Sequence, residues 1–137
     1  MNFYFPTVFI SLAGSTVSAG FPSLSNDYTE LSLDLNSHLI ESPCTTFCLR
    51  ARGNAMEGAG IYDGDLVLAD RSLVAQNGNM VIGVLDVEFT VKRLRMEEGR
   101  TFLLTDYPCY EPIPVTETDD FRIWGVVTYI IHKTYKL

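Results

Sequence analysis

The stretch Arg52-Gly53-Asn54-Ala55-Met56-Glu57-Gly58-Ala59-Gly60-Ile61-Tyr62-Asp63-Gly64-Asp65-Leu66-Val67-Leu68-Ala69-Asp70 decides how this chain is read. Its glycines, set among small residues, permit left-handed backbone and close approach of amide groups, as a site lined by N–H groups requires. Its second half runs from the turn signal Asp63-Gly64-Asp65 directly into the apolar run Leu66 to Ala69, which reads as a strand. Taken alone, the segment is a turn-rich loop entering a core strand.

The same grammar recurs on either side. Tyr28 to Leu35 sets Leu31, Leu33 and Leu35 against Thr29, Ser32 and Asp34, and Thr46 to Arg50 is a second short apolar run; both read as strands. Asn77-Gly78-Asn79 precedes a strand over Met80 to Leu85, and Val84 to Leu94 reads as a hairpin turning near Asp86. Thr101 to Thr105 and Phe121 to His132 supply further strands, the last rich in Val, Ile, Trp and Tyr. A short helix is expected after Asn36 as N-cap, ending before Pro43. The expected class is mostly β, built of short antiparallel strands.

The chain has 137 residues, 47% hydrophobic and 20% charged, with 10 Lys+Arg against 17 Asp+Glu and a net charge of −7. Folding at this length buries roughly 70% of the unfolded surface, so a core forms without metal or disulfide staples. The acidic balance argues against a protein that binds nucleic acid through its net field, which needs clustered Lys and Arg. Cys44, Cys48 and Cys109 are an odd number with no CxxC pair and no neighbouring His, which argues against zinc. On one strand, Cys44 and Cys48 would stand about 13 Å apart, beyond disulfide reach. Reduced, partly buried thiols in a cytoplasmic protein are expected, with no metal and no cofactor.

Residues 1–26 carry no charged side chain and include the apolar run Phe3, Tyr4, Phe5, Val8, Phe9, Ile10 and Leu12, ending in Val17-Ser18-Ala19 before Gly20. The segment imitates a signal peptide. Against export stand the missing Lys or Arg at its start, Pro6 inside the apolar run, and Ser11, Ser15, Thr16 and Ser18. No run reaches about 18 apolar residues, so no transmembrane helix and no membrane partner is expected. The organisation expected is an arm over residues 1–27, extended from Gly14 to Asn26, followed by a β domain over 28–137. The apolar side chains of the arm are expected to pack on the domain or across a dimer interface, with exchange of arms between two copies.

A second segment supplies context: Glu88-Phe89-Thr90-Val91-Lys92-Arg93-Leu94. Together the two stretches resemble the UmuD/LexA family of self-cleaving serine peptidases, and the UmuD branch more closely. In that family a G-x-S-M loop supplies a nucleophile and an F/V-T-V-K-[KR]-L strand supplies a lysine. Ala19-Gly20-Phe21-Pro22-Ser23 resembles the family's cleavage sequence, Gly60-Ile61-Tyr62-Asp63-Gly64-Asp65-Leu66 a motif of both branches, and Trp124-Gly125-Val126-Val127 its closing strand. The departure is at the nucleophile, where Ala55 follows Gly53-Asn54. The resemblance implies a β-clip-type peptidase domain in which Lys92 is the general base, Ala55 the vacated nucleophile position, and Ala19–Gly20 the scissile bond.

The chemistry requires these residue types. A serine hydroxyl is a weak nucleophile until a base takes its proton, and a lysine serves only if it is neutral near pH 7. Burial disfavours the ammonium, and a hydroxyl such as that of Thr90, on the same strand face as Lys92, orients the amine. Backbone amides of Asn54 and Ala55 are the candidate oxyanion donors, worth about 3–4 kcal/mol each in a working site. Composition alone would make Lys92 one solvated cation among Arg93, Arg95 and Arg100. Alanine keeps the amides and lacks the Oγ, so this chain is not expected to cut itself. Retention of Lys92, Thr90 and Ala19-Gly20 favours a deliberate Ser→Ala substitution over a natural homologue that has lost activity; the sequence leaves both open.

The resemblance further implies a homodimer cleaved after Ala19 under stimulation by RecA filaments on single-stranded DNA. Residues 20–137 then join a Y-family, UmuC-like polymerase subunit in error-prone synthesis of the SOS response, with DNA reached only through partners. A LexA-like or phage-type repressor lacks room for a helix-turn-helix before the β core. A signal-peptidase-like enzyme is disfavoured by Ala55 and by the lack of an apolar anchor, and a secreted binding domain requires removal of residues 1–19 by export.

Overall fold

The structure, a computed structural model, describes residues 9–13, 30–105, 112–116 and 121–135. The chain divides into two compact units, Met1–Glu41 and Ser42–Leu137. In the first, strand β1 (Phe9–Ala13) pairs antiparallel with β2 (Glu30–Asp34), in register from Phe9 opposite Asp34 to Ala13 opposite Glu30. The apolar run of the arm thus holds a strand, and residues 28–41, read from sequence with the β domain, lie in this first unit. The expected linker over Gly14 to Asn26, with Ala19 and Gly20, lies outside the described residues.

Helix α1 (Leu35–Leu39) follows β2 directly. Its N-cap is Asp34, not Asn36: the Asp34 carboxylate accepts the Asn36 N–H at 3.1 Å and the Ser37 hydroxyl at 2.8 Å. An aspartate satisfies two orphan donors of the first turn and complements the helix dipole, so the helix starts earlier than expected. Among the described residues no helix is long and apolar enough to cross a membrane.

The second unit is a seven-stranded antiparallel sheet. Its strands are β3 (Thr46–Arg50), β4 (Leu66–Asp70), β5 (Met80–Leu85), β6 (Glu88–Glu97), β7 (Arg100–Leu104), β8 (Ile113–Val115) and β9 (Phe121–Ile131). The spatial order is β3-β4-β9-β5-β6-β7-β8. The last strand, the longest and rich in β-branched and aromatic residues, enters the middle of the sheet. Its C-terminal half pairs with β4, from Val126 opposite Asp70 to Ile131 opposite Leu66, and its N-terminal half pairs with β5. The mostly antiparallel β class expected from the sequence is the one observed.

β5 and β6 form the expected hairpin through Asp86 and Val87, both at positive φ, 48° and 66°. Such a two-residue turn matches the right-handed twist of its strands. β8 was not anticipated, because Pro114 lies within it; as the outermost strand it has one edge without a ladder to complete, which is where proline is tolerated. Two buried clusters hold the sheet: Ala51, Met56, Ile61, Val67, Ala69 and Ile82 in one, and Val81, Leu94, Leu103 and Val126 in the other.

Asp70, also buried, ties the start of β3 to the end of β4 by accepting the Ser72 N–H at 2.8 Å, the Ser72 hydroxyl at 2.7 Å and the Thr45 hydroxyl at 2.7 Å. These bonds, the Ser72 amide first, hold its carboxyl below the usual range. The expectation of partly buried thiols is corrected for two cysteines. Cys44 and Cys48 are exposed, Cys48 because β3 is the outermost strand at the other edge of the sheet. Cys109 lies outside the described residues.

Candidate active site

Residues 51–65 form a loop closed at its base by two backbone bonds. The Ala51 N–H donates to the Asp65 carbonyl at 2.8 Å, and the Gly64 N–H to the Ala51 carbonyl at 2.9 Å. Met56 and Ile61 are buried and fill the loop from within, joined by a bond from the Ile61 N–H to the Met56 carbonyl at 3.1 Å. A single 3₁₀ turn over Glu57–Ala59 ends at Gly60, whose φ of 86° is the left-handed conformation that glycine supplies without strain. The Asp63 carboxylate accepts the Gly53 N–H at 2.8 Å, and Gly53 itself sits at φ 91°. The Asp-Gly-Asp signal is therefore more than a turn, because its first carboxylate is bonded to the backbone just ahead of Ala55.

The loop and β6 enclose a cleft of about 290 Å³. Ala55 and Met56 line it from the loop, and Thr90, Val91 and Lys92 from β6, with Ile82 of β5 between. Pairing of Gly83 with Thr90 and of Val81 with Lys92 sets the two polar residues two apart on one strand. The Lys92 Nζ donates to the Thr90 Oγ1 at 2.7 Å and to the Val91 carbonyl at 3.2 Å. Half-burial of the side chain pushes the amine below its ordinary 10.5, because desolvation penalises the ammonium. Among the described residues no carboxylate forms an ion pair with Lys92 to oppose that shift.

Of the residues singled out from sequence, Ala55, Thr90 and Lys92 share this cleft. Asn54 does not line it, and its carbonyl accepts the Glu57 N–H at 3.2 Å. Among the described residues nothing accepts a hydrogen bond from the backbone N–H of Asn54 or of Ala55. Ala19 and Gly20 lie outside the described residues. Sequence reasoning missed Phe89, which lines the cleft, is 56% exposed, and meets Trp124 edge-on at 5.4 Å. It also missed His132, whose Nδ1 lies 2.5 Å from the buried Asp65 carboxylate. No local signal marks either role, since both depend on β9 arriving beside β4 and β5.

The Peptidase S24-like family matches residues 11–128, a span that includes both the loop and the lysine strand. Protein ImpA of Salmonella typhimurium is 46% identical over 127 residues, covering 87% of this chain and 81% of its own length. Protein MucA of Escherichia coli is 40% identical over 115 residues, covering 82% of this chain and 77% of its own length. The LexA repressor of Bordetella parapertussis is 37% identical over 115 residues, which are 84% of this chain and 53% of the repressor. Matched from the first strand to the closing strand, and 46% and 40% identical to ImpA and MucA, this chain belongs to the Peptidase S24-like family as a UmuD-like member of the UmuD/LexA self-cleaving serine peptidases.

Proposed function

We propose that this chain is the uncleaved, silenced form of a UmuD-like accessory protein of error-prone translesion synthesis in the SOS response. The observation that carries the reading is the half-buried Lys92 amine, held by Thr90 in the cleft that also receives Ala55. With serine at position 55, the neutral amine takes the hydroxyl proton as Oγ attacks the carbonyl carbon of Ala19. The charge developing on that carbonyl oxygen meets the backbone N–H of Ala55, the one of the two expected donors whose residue lines the cleft. The Lys92 ammonium then returns its proton to the departing Gly20 nitrogen, and water, deprotonated by the same amine, releases Ala19 from the serine ester. Alanine leaves the base and the amide and removes the attacking atom. No cofactor takes part.

In this reading residues 1–27 act as a cleavable arm on the β domain of residues 28–137. The protein works in the cytoplasm as a homodimer, is cut under stimulation by RecA filaments, and then joins a Y-family polymerase subunit. DNA is reached through those partners, in keeping with a net charge of −7. A repressor is the alternative role on this scaffold, and the higher identity to ImpA (46%) than to the LexA repressor (37%) favours the accessory role.

The test is Ala55→Ser, incubated at alkaline pH and separately with RecA, ATP and single-stranded DNA, with intact mass recorded. Loss of residues 1–19 from the serine protein alone is expected, and Lys92→Ala in that background is expected to abolish it, a general base contributing about 10²–10⁴-fold. A serine protein that stays whole under both conditions overturns the reading and leaves a non-catalytic regulatory protein.

A further inference from the structure

Beyond Lys92 and Thr90, one polar cluster reaches the candidate nucleophile loop from a distant part of the chain. Leu66 pairs with Ile131 across β4 and β9. Continuing that register by one residue sets Asp65 opposite His132, at the base of the loop. Asp65 is 3% exposed and its carboxylate is used on both oxygens. Oδ2 accepts the Tyr62 N–H at 2.8 Å, and Oδ1 lies 2.5 Å from the His132 Nδ1. An ionised carboxylate only accepts, so with Asp65 ionised this contact takes the tautomer that has its proton on Nδ1. The Tyr62 ring packs on the imidazole with centroids 5.1 Å apart.

These contacts form a chain of restraints that ends beside position 55. His132 orients the Asp65 carboxylate, the carboxylate fixes the Tyr62 amide, and the next residue, Asp63, holds the Gly53 N–H at 2.8 Å. The Asp65 carbonyl closes the loop on Ala51. A buried carboxylate that loses one donor retains its desolvation cost and draws another donor toward itself, at the expense of the turn around it. The 3₁₀ turn and the left-handed glycines give the loop no long ladder of its own, so its geometry depends on these side-chain bonds.

We propose that His132 is a positioning residue for the nucleophile loop: acting through Asp65 and the Tyr62–Asp63 turn, it sets the backbone of residues 51–56 relative to Lys92. The proposal rests on the self-cleavage reading for its activity readout, and on the structure alone for its second readout. His132 touches no reacting atom. It couples the end of the closing strand to the cleft, so that the loop is correctly set only when β9 is fully paired.

The experiment compares His132→Ala and His132→Asn in the Ala55→Ser chain and in the chain as it stands. Asparagine places an N–H near the Nδ1 position and alanine does not. In the serine background, self-cleavage is expected to slow about tenfold or more with alanine, and to stay within about threefold of the parent with asparagine, as one hydrogen bond to a charged group is lost or kept. In the alanine chain, amide hydrogen exchange is expected to speed up about tenfold at Ala51, Gly53 and Tyr62 for His132→Ala, with the β5–β6 hairpin unchanged. Equal cleavage and equal exchange in folded His132→Ala overturn the positioning role. If the serine parent does not cut at all, the peptidase reading falls, and exchange at those three amides still decides the positioning role of His132.

Discussion

Replacing Gly83 with alanine places a carbon where the structure already holds a ring. The added Cβ would sit 2.4 Å from the Phe121 Cε2 and 2.9 Å from the Cζ. Carbon pairs pack at about 3.5–4.0 Å, so the ring edge must retreat by roughly 1 Å. Gly83 lies where the β5–β9 register shifts, and it faces Thr90 across β5 and β6. Phe121 in turn packs on the cluster of Val81, Leu94, Leu103 and Val126. Overpacking of this kind costs about 1–3 kcal/mol, and removing glycine from a strand returns about 0.5–1. The expected net loss is therefore about 0–2.5 kcal/mol, at roughly 2–4 °C of melting temperature per kcal/mol. Urea midpoints measured on Gly83→Ala, Phe121→Leu and the double variant check it. In the double variant the alanine no longer meets a ring, so the two losses are expected to fall short of additive by about 1 kcal/mol. A net gain in stability in Gly83→Ala, or strict additivity, refutes the steric argument.

Two further predictions concern titration and turn strain. Lys92→Met is expected to raise the urea midpoint at pH 7, because burial penalises the ammonium. A lysine whose folded pKa is depressed binds fewer protons folded than unfolded, so the parent's stability rises with pH. The advantage of Lys92→Met is accordingly expected to shrink as pH climbs from the lowered folded value toward the unfolded 10.5, and an advantage constant with pH contradicts it. Val87→Gly relieves a β-branched residue at φ 66° and is expected to stabilise by about 1 kcal/mol, read as a calorimetric rise in melting temperature; a fall shows that the turn is not strained there.

Much of the fold was legible because it is written locally. Alternation and turn chemistry located β3, β4, β5 and the hairpin at Asp86 within a residue or two, since each depends on the few side chains inside it. The helix cap was misplaced by two residues because Asp34 and Asn36 are both competent caps, and the choice falls to the one whose carboxylate meets the first-turn amides. Pro114 concealed β8, because tolerance of proline depends on where a strand lies in the sheet. Cys48 was expected to be partly buried because cysteine usually is, and it is exposed because β3 became an edge.

The candidate site divides in the same way. The Gly-rich loop and the two-residue spacing of Thr90 and Lys92 are properties of short segments, and the sequence alone determined them along with the alanine at position 55. Only the tertiary structure decided that loop and strand share one cleft, that Lys92 is half-buried with its pKa lowered by desolvation, and that His132 reaches Asp65. Each of these depends on β9 lying between β4 and β5. That placement reflects the burial of whole sheet faces and the register of long-range pairing, neither of which is carried by any single stretch of the chain.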